Sequence, residues 1–316
     1  MKRARGRTSR RTISVVIPVY RGETTIPLLV EKLAKGLPQL AHAFEVILVH
    51  DGSPDGSWEL IEKFASIYSW VVGIRLMRNY GQHNATLCGV RAAKYEWIVT
   101  MDQDLQHPPE EIRKMVEKLE QGYDVVYGSP DRLPQGFWRN LMTAAMKRLL
   151  ANVMGIPSIR KISAFRIFRS HLRDAFIQFR NPSLILDVLL SWGTDRFAWV
   201  DVNIPPAERT NYNLTALVKA SVLILTGYST APLRAASWMG FLMTLFGLGI
   251  LVYVFYVYFL LGSLPGFPFL ASIIAIFSGA QLFTLGIIGE YLAHIFDRSM
   301  DRPAYVVQET VGKIKQ

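Results

Sequence analysis

The stretch Trp97-Ile98-Val99-Thr100-Met101-Asp102-Gln103-Asp104-Leu105-Gln106-His107-Pro108-Pro109-Glu110 decides the fold. Its opening residues are almost all apolar, the pattern of a buried strand. Its end reads as a helix start, with Pro tolerated in the first turn and acids favoured beside the positive helix end. Between them, Asp102 and Asp104 stand two apart, so on an extended chain both side chains leave the same face. Two carboxylates at the carboxyl end of a strand suit a hard divalent cation. Mg²⁺ or Mn²⁺ takes few protein oxygens and completes its shell from substrate phosphates and water. An isolated D-x-D is more often a pair of solvated turn aspartates, so the surroundings decide its weight.

Working outward, strands are expected at 13–20, 44–49, 71–77, 95–101 and 123–128, with helices at 24–37, 57–68, 84–93 and 110–121. This alternation predicts βαβ units and a mainly parallel sheet. In such sheets ligands bind outside the carboxyl ends of the strands. The Pro18–Tyr20 end, Asp51 in a turn-rich loop at 50–56, and Asp102 with Asp104 all fall at that edge.

Beyond the sheet, residues 135–155 carry apolar side chains at helical spacing with Arg139, Lys147 and Arg148 interspersed, and 212–228 form a second such segment. Each fits either a helix lying in a membrane interface or an ordinary amphipathic core helix. Residues 235–262 are apolar and uncharged, 263–268 form a short uncharged turn, and 269–288 are apolar again. Each apolar run is long enough to cross a bilayer. Arg234 precedes the first, and Arg298 and Arg302 follow the second, which places both outer ends in the cytoplasm. Glu290 then sits at the membrane boundary, and 301–307 are expected to add a short strand near the membrane. The expected domains are a basic disordered arm at 1–12, a cytoplasmic catalytic domain at 13–211, a juxtamembrane amphipathic helix at 212–233, two transmembrane helices at 234–297 and a cytoplasmic tail at 298–316.

Composition agrees with a membrane protein. Of 316 residues, half are hydrophobic and 19% charged. The single cysteine, Cys88, excludes an internal disulfide or a cysteine-rich metal site and reads as a small buried apolar residue. The net charge of +10 calls for an acidic partner. Its basic residues cluster beside membrane segments, which points to anionic lipid rather than nucleic acid. The N-terminal Lys2, Arg3, Arg5, Arg7, Arg10 and Arg11 precede no long apolar run, so they form an arm and not a secretory signal. There is no glycine-rich phosphate loop and no serine nucleophile elbow. The acidic pair therefore suggests a substrate that brings its own phosphates, such as a nucleotide diphosphate, and the hairpin suggests a lipid as the second substrate.

The stretches 16–20, Asp51-Gly52-Ser53, Arg78-Asn79-Tyr80-Gly81-Gln82-His83 and 102–110 together resemble the GT-A glycosyltransferases of family two, most closely the polyprenyl-phosphate branch. The resemblance continues through Ala231-Pro232-Leu233-Arg234, the double span and Gly289-Glu290-Tyr291-Leu292. It implies an α/β GT-A, Rossmann-like, mainly parallel sheet with interfacial amphipathic helices and a C-terminal two-helix transmembrane hairpin. It implies metal-dependent transfer of one sugar from a nucleotide-diphosphate sugar to a polyprenyl phosphate, with undecaprenyl phosphate the expected lipid, for cell-envelope glycan modification. Pro18, Tyr20 and Asp51 match the nucleoside-gripping part, and Asp102, Gln103 and Asp104 the metal-diphosphate motif, with Asp104 the metal ligand. Arg139, Arg166 and Arg209 match basic positions beside donor or lipid phosphates. The implied setting is a bacterial inner membrane, with a second copy of the chain and a flippase for the product as further candidate partners.

Chemistry explains why no strong base stands out. A phosphate monoester has a second pKa near about 6, so its oxygen is already an anionic nucleophile at neutral pH. It needs counter-charge, which arginines supply, and direct displacement at the anomeric carbon inverts its configuration.

The chain departs from the family pattern in several places. His50 replaces the first acid of the usual Asp-Asp-Gly-Ser, and Arg21-Gly22-Glu23 replaces Asn-Glu, so Glu23 is the candidate for that glutamate offset by one. Arg160-Lys161 occupies a region where relatives carry an aspartate, and the stretch after Arg209 is shortened. A different sugar accounts for these changes. A different lipid or glycan acceptor, or a weakly active scaffold that kept the fold, is the alternative. His83 and His107 read as hydrogen-bonding or packing groups, and Asp187 as a helix-surface or capping acid.

Overall fold

A computed structural model of the chain describes residues 11–129, 161–179, 185–203, 230–262 and 266–313. The segments at 135–155 and 212–228, and with them Arg139 and Arg209, lie outside the described residues. Two compact units result, one drawn from Met1–Asn211 and Asp301–Gln316 and the other from Tyr212–Met300.

The first unit runs β1 (Thr12–Val19), α1 (Ile26–Gly36), β2 (Ala43–His50), α2 (Ser57–Ile67), β3 (Val71–Leu76), α3 (Gln82–Ala92) and β4 (Trp97–Thr100). A short 3₁₀ turn at Pro109–Glu111 leads into α4 (Ile112–Leu119), which β5 (Val125–Ser129) follows. Then come β6 (Arg166–Arg169), α5 (Leu186–Gly193) and β7 (Phe197–Asp201). After the second unit the chain returns as β8 (Val307–Val311). The strands form one sheet in the order β7-β5-β6-β4-β1-β2-β3-β8. β6 and β8 run antiparallel to their neighbours, and the remaining pairings are parallel.

The β-branched run of β1 makes it the centre of this sheet. Ile13, Val15 and Ile17 enter a core on one face with α1, α2 and α4. Val16, Ile47 and Val49 enter a second core with α3 and α5. Each fully buried aliphatic side chain contributes about 1.5–3 kcal/mol, which makes two-faced burial the main reason these strands form. Cys88 is buried in the second core, as expected, and burial pushes its thiol pKa up to about 12.

Two strands come from outside the βαβ pattern. β6 inserts between β4 and β5 and splits its apolar pair between the faces, Ile167 into one core and Phe168 into the other. β8 closes the β3 edge. It lies slightly beyond the expected 301–307 because Ala304 is buried and Tyr305 packs on α3, with the Arg91 guanidinium 5.7 Å from its ring centroid. The Val306 carbonyl accepts a 3.0 Å bond from the Met77 amide, and Glu309 pairs with Arg75 at 2.9 Å.

The second unit is a pair of helices, α6 (Ala231–Leu261) and α7 (Phe267–Ser299). Within them Pro232–Leu260 and Ile276–Ser299 are long and apolar enough to cross a membrane. Large apolar side chains such as Phe259 and Leu282 are exposed along both helices, an arrangement that water penalises and lipid does not. Glu290 lies 3.7 Å from His294 one turn on.

Candidate active site

The carboxyl ends of β1, β2 and β4 and the loop after β3 meet around one cavity of about 320 Å³. It is lined by Pro18 and Val19 at the end of β1 and Tyr20 just past it, Asp51 just past β2, Asn79 and Gly81 before α3 and Gln82 at its start, and Asp102, Gln103 and Asp104 in the turn after β4. Six of these residues, Pro18, Tyr20, Asp51, Asp102, Gln103 and Asp104, are the ones singled out in the sequence. Asn79, Gly81 and Gln82 were assigned no role there, yet they follow β3 at the same sheet edge, and that position was the available signal.

Asp51 organises the back of the cavity. Its two oxygens accept the Tyr80 and Gly81 amides at 2.7 and 2.9 Å. Burial raises its pKa, and those two bonds pull the other way. The following Gly52 has φ +60°, and a Cβ there would stand 2.4 Å from the Arg78 carbonyl carbon, so only glycine lets the two loops meet.

The acidic pair forms the opposite wall. Gln82 Nε2 donates to Asp102 Oδ1 at 2.5 Å, and the Gln106 amide donates to Asp104 Oδ1 at 3.1 Å. The Asp102 amide donates to His107 Nδ1 at 3.1 Å, which leaves that imidazole's proton on Nε2. His107 stacks on Phe165 with centroids 5.1 Å apart, and burial lowers its pKa. Its packing and hydrogen-bonding role is therefore as expected. Burial raises the pKa of Asp102 and the neighbouring Asp104 carboxylate adds to that, against the opposing pull of His107, Arg166 and Gln82. Leu105 holds the turn at φ +62°, a strained conformation for a side chain with a γ-branch, and packs against the core.

Among the described residues, neither carboxylate of the pair forms an ion pair with a lysine or arginine. Nor does any group of three His, Cys, Asp or Glu side chains among them form a metal cage. Two hard oxygen donors on an open wall, carrying negative charge with uncharged hydrogen-bond partners, fit a cation that draws its remaining ligands from phosphate and water.

The other expected residues lie elsewhere. Glu23 does not line the cavity; its Oε2 accepts the Gly56 amide at 3.3 Å. Arg166 is 3% exposed on β6 behind the acidic wall. Its Nε donates to Thr100 Oγ1 at 3.1 Å, and its guanidinium pairs with Asp187. Asp187 does stand in the first turn of α5, but it faces inward rather than to solvent, and it also accepts the Tyr127 hydroxyl at 3.0 Å.

Residues 14–177 match the model of the family described as Glycosyl transferase family 2. A relative from Proteus mirabilis named undecaprenyl-phosphate 4-deoxy-4-formamido-L-arabinose transferase is 34% identical over 309 residues, covering 95% of this chain and 94% of its own. One of the same name from Aeromonas hydrophila is 33% identical over 313 residues, covering 96% and 95%. Among solved structures, glucosyl-3-phosphoglycerate synthase from Mycobacterium tuberculosis, in complex with Mn²⁺, uridine-diphosphate-glucose and phosphoglyceric acid, shares the fold. Its TM-score is 0.50 at 20% identity over 71% of this chain and 79% of that one.

Proposed function

The chain belongs to glycosyl transferase family 2 and is a glycosyltransferase, and from that footing we propose that it moves one sugar from a nucleotide-diphosphate sugar to a polyprenyl phosphate at a membrane. The observation that carries this reading is the cavity at the carboxyl sheet edge whose acidic wall forms no lysine or arginine ion pair among the described residues, in a chain with two membrane-length helices. The lipid acceptor is supported by the near full-length likeness to undecaprenyl-phosphate transferases.

Asp104 and Asp102 would hold a Mg²⁺ or Mn²⁺ ion, which supplies positive charge to the diphosphate leaving group. Gln82 fixes the orientation of Asp102 through its 2.5 Å bond. Pro18, Tyr20 and Asp51 form the wall for the nucleoside. The acceptor phosphate arrives as an anion and attacks the anomeric carbon directly, so no side chain need take its proton. Arg139 and Arg209 are the proposed counter-charges for it. Arg166, held by Asp187 and Thr100, adds positive potential behind the wall. The bond from the anomeric carbon to the diphosphate breaks as the new phosphoester forms, with inversion. Arg234 in the first turn of α6, Arg298 in the last turn of α7 and Arg302 just past it support a cytoplasmic catalytic unit in a bacterial inner membrane.

The test is to incubate membranes holding the chain with undecaprenyl phosphate and a panel of labelled nucleotide sugars that includes nucleotide-linked 4-deoxy-4-formamido-L-arabinose. A lipid-linked sugar is expected with one donor, with inverted configuration by anomer-resolved NMR. No lipid-linked product from any donor overturns the reading.

A further inference from the structure

Gln103, between the two aspartates, does something its neighbours do not. Its Oε1 accepts the Tyr20 amide at 3.1 Å and its Nε2 donates to the Tyr20 carbonyl at 2.5 Å. A primary carboxamide can stand in for a peptide unit, and here it closes a two-point bridge from the acidic wall to the backbone of the opposite one. The bridge needs room. A Cβ on Gly22 would lie 2.5 Å from Gln103 Oε1 and 3.1 Å from its Cδ, so a glycine at 22 and a carboxamide at 103 fit each other.

The residues after Tyr20 are pinned just as fully. The Arg21 amide donates to Ser53 Oγ at 2.7 Å, the Gly22 amide to Ser57 Oγ at 2.9 Å and the Glu23 amide to Asp55 Oδ2 at 3.1 Å. The four consecutive amides of Tyr20, Arg21, Gly22 and Glu23 are thus each held by a side chain from elsewhere in the chain. Asp55 anchors three of these groups, accepting the Ser53 and Ser57 hydroxyls at 2.5 and 2.6 Å. Burial raises its pKa, but the hydrogen bonds outweigh it and hold the carboxyl at about 2, so the anchor stays ionised at neutral pH. Arg21 sits at φ +57°, a conformation that persists in a non-glycine residue only where surroundings enforce it. The product of this pinning is a fixed place for Tyr20, which is 41% exposed and lines the cavity.

We propose that Gln103 is a positioning residue that acts through the Tyr20 backbone, setting the nucleoside side of the cavity relative to the acidic wall, and that Gly22 is the paired position that keeps the bridge open. The proposal rests on the donor site described above. It removes Gln103 from direct donor contact and ties an unusual Arg-Gly pair to nucleotide binding.

The test uses the purified full chain in detergent with Gln103→Ala, Gly22→Ala, the double variant and the near-isosteric Gln103→Glu, which keeps the acceptor and loses the donor. Hydrogen exchange of the 20–23 amides is measured beside equilibrium binding of uridine, guanosine and thymidine diphosphates in Mg²⁺. Each single variant is expected to speed exchange at 20–23 and to weaken the best-bound diphosphate about tenfold, with the melting temperature little changed. The double variant is expected to lose less than the sum of the two singles, because the nearest group an added methyl strikes is gone and only Val19 Cγ1 at 3.0 Å remains. With the donor found by the panel, its KM rises while kcat holds. Unchanged exchange in Gln103→Ala and Gln103→Glu, or additive losses in the double variant, overturns the bridge. Failure of the wild-type chain to bind any diphosphate instead overturns the donor-site reading and the nucleotide half of this proposal.

Discussion

The carboxyl end of one short strand holds two opposite kinds of charge. Just past β4, Asp102 and Asp104 are alike in sign, open to a cavity and held by uncharged donors. Beside the last residue of β4, Arg166 and Asp187 are opposite in sign, 3% and 6% exposed, and satisfied by each other, Thr100 and Tyr127. The buried pair satisfies its hydrogen bonds internally. The open pair has kept its charge, and that makes it the half of the region able to recruit something from solution.

The largest effect is expected from breaking the closed pair. Asp187→Ala strands a buried guanidinium and should destabilise the catalytic unit by about 3–5 kcal/mol, read as a large fall in melting temperature. Replacing Arg166 and Asp187 together with Met and Leu should recover most of that loss. A double replacement as unstable as the single one would show that the pair is not self-contained. The open pair should behave in the reverse way. Asp104→Asn is expected to cost on the order of 10³-fold in sugar transfer while leaving the melting temperature nearly unchanged. Chelation of the wild-type chain should reproduce the loss and added Mg²⁺ restore it; transfer indifferent to chelation would remove the contrast.

His50 is an intermediate case, a titratable group 1% exposed whose ring nitrogens have no hydrogen-bond partner among the described residues, edge-on to Trp58. Burial lowers its pKa, with Arg75 adding to the effect. The folded chain therefore takes up this proton less readily than the unfolded one. Its contribution to stability is present above about pH 6.5 and is lost as pH falls below that. His50→Phe should flatten the acid limb of the melting-temperature profile relative to wild type; an unchanged limb would assign the slope to other groups. The smallest effect is expected at the half-exposed Arg75–Glu309 pair, where Glu309→Ala should cost about 0.2–1 kcal/mol and nothing measurable in high salt.

The strands that frame the cavity were legible because β1, β2 and β4 are apolar runs that need burial on both faces, and the carboxyl-edge rule then brings Asp51, Asp102 and Asp104 together. The same reasoning could not see β6. Two apolar residues between two arginines carry no periodicity, and their partners on β4 lie 66 positions away in sequence at the Thr100–Arg166 pair. The inward turn of Asp187 was hidden for the same reason, since its partner Arg166 belongs to that strand. The Gln103 bridge was beyond reach in the sequence, where Gln103 stood out only as the middle of a motif. Its function depends on Tyr20, 83 positions earlier, and on the missing side chain at Gly22.

The return of the chain as β8 has a consequence for topology and for timing. β3 and β8 can be hydrogen-bonded neighbours only if the stretches before α6 and after α7 occupy the same compartment, so the number of bilayer crossings between them must be even. β8 also leaves the ribosome after both helices. The open edge of β3 therefore has no partner from β8 until both helices have been made, so completion of the catalytic sheet waits on their synthesis.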